Sequence, residues 1–258
     1  MDADEVAHAL AEVMPDVLIA VDFDGTLAPL RPDPDDSRPV DSTVDVLTQL
    51  AARGAQIAVV TGRDAQTVLR LGGFDAVPGV VVTGLYGLES WTAGDLSTPD
   101  TPPEMAVLAQ RLPAVLREHD ADPAVWIEDK RLSLVVHGRK SDDPEGVLDP
   151  LRDPVAALAA DLELEVHPGN GVIEIRLPGF DKGGVLRRLA ADRDYRGVLY
   201  AGDDFGDVPA FEEIRRLRAD GLAAFGVAVA ASGVTAAVRA ADLTVPDAPT
   251  LVTLLARI

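Results

Sequence analysis

Two carboxylates follow an apolar stretch near the start of the chain. Residues 17–21 (Val-Leu-Ile-Ala-Val) favour a buried β-strand, and Asp22 and Asp24 come directly after it. Two charged side chains at this spacing cannot both be packed in a core. Carboxylates placed in this way can act as a nucleophile, as a general acid and base, or as ligands of a hard cation such as Mg²⁺.

A second acidic group follows a later apolar stretch. Asp203, Asp204 and Asp207 come after residues 197–201, and Thr61 follows another apolar stretch at 56–60. Ligands of open α/β sheets bind beyond the carboxyl ends of the strands. If these strands are neighbours, the carboxylates repel one another unless a cation lies among them. The alternative for Asp22 and Asp24, an Asx-turn or a helix cap, is much weaker once the second cluster is considered.

Apolar strands alternate with helices over most of the sequence. Strands are predicted at 17–21, 56–60, 80–82, 197–201 and 225–230, and helices at 5–14, at 41–53 and from residue 64. Strands without polar alternation that are separated by helices are typical of a parallel sheet covered on both faces. The pattern therefore predicts a doubly wound, Rossmann-like α/β core domain.

The middle of the chain has a different pattern. A Pro-rich linker at 97–103 precedes helix–strand–strand twice over, with elements at 104–119, 125–127, 132–136, 147–161, 163–167 and 172–177. This order predicts an antiparallel α+β module inserted into the parallel one. We expect residues 1–97 and 180–258 to form the core domain, and residues 98–179 to form the inserted cap domain.

Composition narrows the function classes. The 258 residues carry 43 Asp and Glu against 23 Lys and Arg, a net charge of −20, and no Cys. Such an acidic chain disfavours nucleic acid as a partner.

No apolar stretch approaches the length of a membrane span, and the acidic N-terminus does not resemble a secretory signal, so we expect no membrane contact and a cytoplasmic protein. The four His show no metal-ligand spacing, and Trp91 and Trp126 are predicted to serve packing.

The acidic motifs resemble those of the haloacid dehalogenase-type phosphohydrolases. The run Asp22-Phe23-Asp24-Gly25-Thr26-Leu27 is similar to their first motif and Thr61 to their second. Lys182-Gly183 resembles the third motif, and Gly202-Asp203-Asp204 with Asp207 resembles the fourth. The resemblance spans nearly the whole chain, and the inserted module is similar to the C2-type cap of that superfamily.

Further motifs resemble the trehalose-6-phosphate phosphatases within that superfamily. They are Gly84-Leu85-Tyr86-Gly87-Leu88-Glu89, Glu128-Asp129-Lys130, His137-Gly138-Arg139 and Val172-Ile173-Glu174-Ile175-Arg176. The acidic loop departs from the family pattern, with Gly206 in place of Thr and Val208 in place of Glu.

The core motifs imply a division of chemical roles. Asp22 is the expected nucleophile, which would form an aspartyl-phosphate, and Asp24 the expected general acid and base. Mg²⁺ would be held by Asp22, by the backbone carbonyl of Asp24 and by Asp203. Thr61 and Gly62 would donate to the phosphate and Lys182 would balance its charge. Asp204 and Asp207 would orient Lys182 or hold metal-bound waters.

The cap residues would select the sugar. Glu128 and Lys130 lie two apart in a predicted strand and share a face, and Glu174 could join them. The resemblance implies that these three residues bind the distal glucose, with Arg139 nearby. For Arg63, an ion pair with a nearby carboxylate and a contact with phosphate or sugar are equally favoured. Glu89 could contact sugar or brace the joint between core and cap.

The resulting hypothesis is a Mg²⁺-dependent phosphatase that converts trehalose 6-phosphate to trehalose and phosphate in trehalose biosynthesis, through an aspartyl-phosphate. The first alternative is a phosphatase of another small-molecule sugar phosphate with the same core. A second alternative, of a different class, is a catalytically silent regulatory or binding homologue that keeps only the fold.

Overall fold

The structure is a computed structural model that describes residues 1–98, 100–130, 132–169, 171–230, 233 and 235–258. The chain divides into two compact units. The core unit consists of Met1–Thr98 and Phe180–Ile258, and the cap unit of Pro99–Gly179. Within the described ranges, no helix is both long enough and apolar enough to cross a membrane.

Strands and helices alternate along the chain. The strands are β1 (Val17–Val21), β2 (Gln56–Val60), β3 (Val81–Gly84), β4 (Glu89–Thr92), β5 (Asp95–Ser97), β6 (Trp126–Asp129), β7 (Ser133–His137), β8 (Glu165–Gly169), β9 (Val172–Arg176), β10 (Gly197–Gly202), β11 (Ala223–Val229) and β12 (Leu243–Val245). The helices are α1 (Ala3–Ala11), α2 (Thr43–Ala52), α3 (Ala65–Gly72), α4 (Pro103–Glu118), α5 (Pro144–Asp161), α6 (Lys182–Ala191), α7 (Val208–Ala219), α8 (Thr235–Ala240) and α9 (Ala248–Leu255).

The core unit is built on one large sheet with the strand order β12-β11-β10-β1-β2-β3-β4-β5. The pairs from β12 to β3 are parallel, which confirms the predicted doubly wound α/β class. Strands β4 and β5 pair antiparallel at one edge and were not predicted. Both strands are short, and the residues of β5 lie at the surface, so neither carries an apolar run that would mark it in the sequence.

Both faces of the core sheet are covered by helices. Along β1, Val17, Ile19 and Val21 point into the apolar cluster that includes residues of α1, α2, α3 and α9. Leu18 and Ala20 point into the opposite cluster with residues of α6 and α7. Because successive side chains of a strand alternate between the faces, a strand buried on both sides is apolar throughout.

The cap unit is a four-stranded antiparallel sheet with the order β6-β7-β9-β8. One face packs on α4 and α5 through an apolar cluster that includes Leu134, Val136, Ile173 and Ile175. The side chains at alternate positions, among them Ser133, His137, Glu174 and Arg176, lie on the other face. We call this second side the polar face of the cap sheet.

Candidate active site

The topology brings three loops to one edge of the core sheet. Strand β1 lies between β10 and β2, with Val21 in register with Ala201 on one side and Val59 on the other. All three strands are parallel, so the residues that follow them lie at the same edge. These residues include Asp22, Asp203 and Thr61, as expected for a ligand site of an open α/β sheet.

Three buried carboxylates meet at this edge. Asp22, Asp203 and Asp207 each offer an oxygen, and these oxygens all lie within 4.8 Å of one another. The residues are 4%, 3% and 0% exposed, so water screens their mutual repulsion poorly. Of the carboxylates expected to converge, Asp22, Asp203 and Asp207 lie together.

Asp207 is saturated with hydrogen bonds. Its Oδ1 accepts from Lys182 Nζ at 2.7 Å and from the Tyr200 hydroxyl at 2.5 Å. Its Oδ2 accepts from the backbone N–H of Asp203 at 2.8 Å and of Asp204 at 2.9 Å. Burial alone would raise the pKa of the Asp207 carboxyl, but Lys182 and these donors outweigh it and lower the pKa. Four donors fill the carboxylate's acceptor capacity, so Asp207 organises the loop and Lys182 rather than offering a metal ligand.

Lys182 bridges two of the carboxylates. It is the first residue of α6, and its Nζ lies 3.0 Å from Asp22 Oδ1 and 2.7 Å from Asp207 Oδ1. Burial would lower the pKa of the Lys182 ammonium, but Asp207 and Asp22 outweigh burial and raise it well above its ordinary value. The side chain is therefore a fixed cation beside Asp22.

One ammonium does not balance the carboxylates around it. Burial, opposed by Lys182 and reinforced by Asp207 and Asp203, raises the pKa of the Asp22 carboxyl well above its ordinary value. A further positive charge near Asp22 would oppose this shift, as Lys182 does. Asp22 and Asp203 supply the hard oxygen donors that a divalent cation requires, so the residues fit a metal ion.

Two residues of the loop after β1 support Asp203. The Thr26 hydroxyl lies 3.4 Å from Asp203 Oδ1. Gly25 has a φ of +76°, and a Cβ at this position would overlap the Asp203 carboxylate. The missing side chain therefore makes space for the carboxylate.

Asp204 lies at the outer side of the cluster. Its Oδ1 accepts from the Gly206 N–H at 2.8 Å, and its side chain also interacts with the Asp207 carboxylate. Surrounding protein and the negative charge of Asp207, partly offset by Lys182, raise the pKa of the Asp204 carboxyl to about 6, although the residue as a whole is exposed.

Asp24 is paired with Arg63. The guanidinium donates to both carboxylate oxygens, from Nε at 2.5 Å and from Nη2 at 2.6 Å. Of the two possibilities predicted for Arg63, the structure thus contains the ion pair with a nearby carboxylate.

The loop after β2 is held from two sides. Thr61 is 1% exposed, and its Oγ1 accepts from the Arg63 N–H at 3.1 Å. A Cβ on Gly62 would lie 2.8 Å from the Tyr86 hydroxyl, so the Tyr86 ring covers Gly62. Glu89 Oε2 accepts from the Ala65 N–H at 2.9 Å at the start of α3. Glu89 therefore braces this loop within the core unit, a role that neither predicted possibility described.

The polar face of the cap sheet brings two acidic residues into one row. Glu128 of β6 is in register with Val135 of β7, and Val135 is in register with Glu174 of β9. Residues directly opposite one another in a sheet point to the same face. Lys130 Nζ lies 4.0 Å from Glu128 Oε2, and the Ser133 hydroxyl lies 3.0 Å from Glu174 Oε1.

His137 contributes to this face, although the sequence analysis gave it no role. Its Nε2 lies 2.9 Å from Glu128 Oε2, and its ring stacks on Trp126 with centroids 4.0 Å apart. The hydrogen bond from His137 lowers the pKa of the Glu128 carboxyl. Glu128 and Trp126 are two residues apart in β6 and face the same side, and Trp126 lies directly opposite His137 of β7. Pairing of the two predicted strands in this register would have indicated the contact.

Arg139 lies two residues beyond the end of β7. Its side-chain stem is next to Gly171, where an added Cβ would lie 3.1 Å from Arg139 Cγ. The positive charge of Arg139 is a minor contributor to the lowered pKa of the Glu128 carboxyl, after His137 and Lys130.

The strand order and the carboxylate edge define a haloacid dehalogenase-like hydrolase fold. A haloacid dehalogenase-like hydrolase from Bacteroides thetaiotaomicron has a TM-score of 0.66 at 15% identity, covering 93% of this chain and 97% of that one. The C-terminal domain of a trehalose-6-phosphate phosphatase from Candida albicans has a TM-score of 0.77 at 20% identity, covering 99% and 95%. The C-terminal domain of a Candida albicans trehalose synthase regulatory protein has a TM-score of 0.71 at 12% identity, covering 97% of both chains.

Sequence similarity identifies the family. The sequence model of the trehalose-phosphatase family matches residues 20–244, so the chain belongs to that family. A trehalose-phosphate phosphatase of Mycobacterium avium is 36% identical over 210 residues, which are 75% of this chain and 50% of that protein. The chain thus spans about half the length of the curated relatives it matches.

The Asp207 network predicts a large loss of stability on substitution. Asp207→Asn removes the charge that faces buried Lys182 and replaces one acceptor oxygen, with its two hydrogen bonds, by an NH2 donor, so we expect the free energy of unfolding to fall by about 3 kcal/mol. Urea denaturation in EDTA measures this change. Asp204→Asn in the same loop is the matched control and should change it by less than about 1 kcal/mol. Equal losses in the two variants would contradict the network described here.

Gly25 predicts a selective loss of metal binding. Gly25→Ala and Gly79→Ala both place a side chain at positive φ (+76° and +67°), but nothing lies within 4 Å of the added Cβ at Gly79. We expect the positive φ to cost each variant about 1 kcal/mol of stability, and Gly25→Ala to lose more because its Cβ also displaces the Asp203 carboxylate. Only Gly25→Ala should weaken divalent-cation binding, by at least about tenfold, because it displaces Asp203. Calorimetric titration with Mg²⁺ compares them, and unchanged binding by Gly25→Ala would show that Asp203 is not a ligand.

Proposed function

We propose that this chain is a Mg²⁺-dependent phosphatase that hydrolyses trehalose 6-phosphate to trehalose and phosphate in trehalose biosynthesis. One observation carries the proposal: Asp22 is held by the Lys182 ammonium at 3.0 Å beside Asp203, at the carboxyl edge of the sheet, in a chain of the trehalose-phosphatase family. A buried carboxylate beside a fixed cation is suited to attack an anionic phosphorus centre.

The reaction takes place in two steps on Asp22. Its carboxylate oxygen forms a bond to phosphorus, the bond from phosphorus to the sugar oxygen breaks, and Asp24 protonates that oxygen. Asp24 then takes a proton from water, whose oxygen attacks phosphorus and releases Asp22 and inorganic phosphate. The Asp22 and Asp203 carboxylates and the Asp24 backbone carbonyl would hold Mg²⁺, which when bound supplies positive charge that screens the anions from one another.

Three groups bind and neutralise the transferred phosphoryl group. Lys182 balances its charge and that of Asp22. The Thr61 oxygen accepts from the Arg63 N–H, so the Thr61 hydroxyl hydrogen is available for a phosphate oxygen. The backbone N–H of Gly62 adds a donor from a loop that lies before α3, which begins at Ala65.

The polar face of the cap sheet selects the sugar. Glu128, Lys130 and Glu174 present acceptors and a donor to sugar hydroxyls, with Arg139 adding a second cation. The hydrogen bonds from His137 to Glu128 and from Ser133 to Glu174 orient the two carboxylates before any ligand is bound.

Two alternatives differ in what they require of the chain. A phosphatase of another sugar phosphate would keep the core residues and use the cap face differently. The second alternative is a catalytically silent protein, because the fold also occurs in a trehalose synthase regulatory protein. The complete set of Asp22, Asp24, Thr61, Lys182 and Asp203 favours catalysis, because binding alone does not require a nucleophile beside an acid.

A panel of phosphorylated sugars tests the proposal. With Mg²⁺, we expect the highest kcat/KM for trehalose 6-phosphate over glucose 6-phosphate and sucrose 6-phosphate, measured as released phosphate. EDTA should abolish turnover and added Mg²⁺ should restore it. Asp22→Asn should lower kcat by at least about 1000-fold. Preference for a monosaccharide phosphate would support the first alternative, and no phosphate release from any sugar would support the second.

The cap residues predict a substrate-specific defect. Glu128→Gln and Glu174→Gln should each lower kcat/KM for trehalose 6-phosphate by about 10–100-fold, because each removes a charged hydrogen bond. Turnover of p-nitrophenyl phosphate, which has no sugar, should stay within about threefold of wild type. Asp129→Asn, next to Glu128 but on the other side of the strand, is the control and should leave both substrates unaffected. Equal losses on both substrates would contradict sugar recognition by this face.

A further inference from the structure

The Arg63 guanidinium is occupied on nearly all its donors. Nε and Nη2 donate to the two oxygens of Asp24, at 2.5 and 2.6 Å. Nη1 donates to the Pro34 carbonyl at 2.9 Å, and Nη2 also donates to Ser37 Oγ at 3.2 Å. The guanidinium carbon lies 5.7 Å from the centroid of the Phe23 ring. Few N–H groups therefore remain for a phosphate or a sugar.

The loop that anchors Arg63 is itself held in place. Ser37 is 1% exposed, and the carbonyls of Asp35 and Ser37 both accept from Arg38 Nη1 at 2.8 Å. Arg63 and Asp24 are largely covered too, with side chains 17% and 29% exposed. The guanidinium is thus enclosed by hydrogen-bond partners on Asp24 and on the loop that contains Pro34 and Ser37.

We propose that Arg63 is a positioning residue that orients the carboxylate of Asp24 for proton transfer, and that it is not a ligand of the substrate. A bidentate guanidinium fixes both the place and the plane of a carboxylate. Each carboxylate oxygen keeps a second lone pair, so Asp24 can still carry and accept the transferred proton. This inference rests on the proposed function, in which Asp24 is the general acid and base.

The leaving group distinguishes positioning of an acid from binding of the phosphate. The alkoxide of trehalose 6-phosphate needs a proton as it leaves, whereas p-nitrophenolate leaves without one. Arg63→Gln should therefore lower kcat for trehalose 6-phosphate by about 100-fold, with KM within about threefold of wild type. With enzyme in excess, the single-turnover rate of nitrophenolate release should stay within about threefold, because that step forms the aspartyl-phosphate without the acid.

Three variants serve as controls. Arg70→Gln removes another ion pair to the same loop, from Arg70 to Asp35 at 3.2 Å, and should behave as wild type. Asp24→Asn should show the same division between the two substrates as Arg63→Gln. The double variant Asp24→Asn with Arg63→Gln should be no slower than Asp24→Asn alone, because the two residues act as one unit.

The variant Arg63→Lys tests whether a loss of activity arises from misfolding. It keeps a positive charge beside Asp24 but not the two-pronged geometry, so it should retain the wild-type thermal midpoint and still lower kcat for trehalose 6-phosphate by at least about tenfold. A variant with full activity would overturn the proposal.

Other outcomes are equally decisive. A rise of KM by tenfold or more at unchanged kcat would make Arg63 a substrate ligand, and an equal loss on both substrates would make its role merely structural. If wild type releases nitrophenolate but does not act on trehalose 6-phosphate, the proposed substrate is wrong, and the Arg63 comparison is made with the sugar phosphate that the panel identifies. A wild-type protein inactive on every phosphate ester would overturn both proposals.

Discussion

The buried ammonium of Lys182 between Asp22 and Asp207 is the interaction on which the rest of the site depends. Three carboxylates meet within 4.8 Å, and Lys182 contacts two of them at 3.0 and 2.7 Å. An uncompensated buried charge costs several kcal/mol, so the network is stable only while each of these partners is present. A tyrosine hydroxyl and two backbone N–H groups also donate to the Asp207 carboxylate and stabilise its charge. The pKa of the Asp22 carboxyl is instead raised by burial and by the neighbouring carboxylates.

Strand order and strand composition explain how much of this could be predicted from sequence. Because β1, β2 and β10 are buried on both faces, their apolar runs mark them without ambiguity, and parallel pairing places Asp22, Thr61 and Asp203 at one edge. The edge strands β4 and β5 have no such run. The position of β4 is set by pairing with β3, and that of β5 by pairing with β4, rather than by their own composition.

The partners of the site residues could not be predicted in the same way. Arg63 and Asp24 lie 39 residues apart, and Glu89 and Ala65 lie 24 apart, so neither pair is marked by spacing along the chain. Tyr200 lies within the buried strand β10, where its ring packs with Phe211 and suits a core position. Its bond to Asp207 depends on where one hydroxyl points, which composition does not encode.

The fold and the charged side chains carry different kinds of information. The same fold is found in domains that bear different names, so the fold by itself does not specify an activity. The charge of the Asp22 carboxyl bears more directly on the chemistry that this edge of the sheet can support. Burial raises the pKa of this carboxyl, Asp207 and Asp203 raise it further, and the Lys182 ammonium opposes them. A further cation beside Asp22 would act in the same direction as Lys182 and favour the ionised carboxylate.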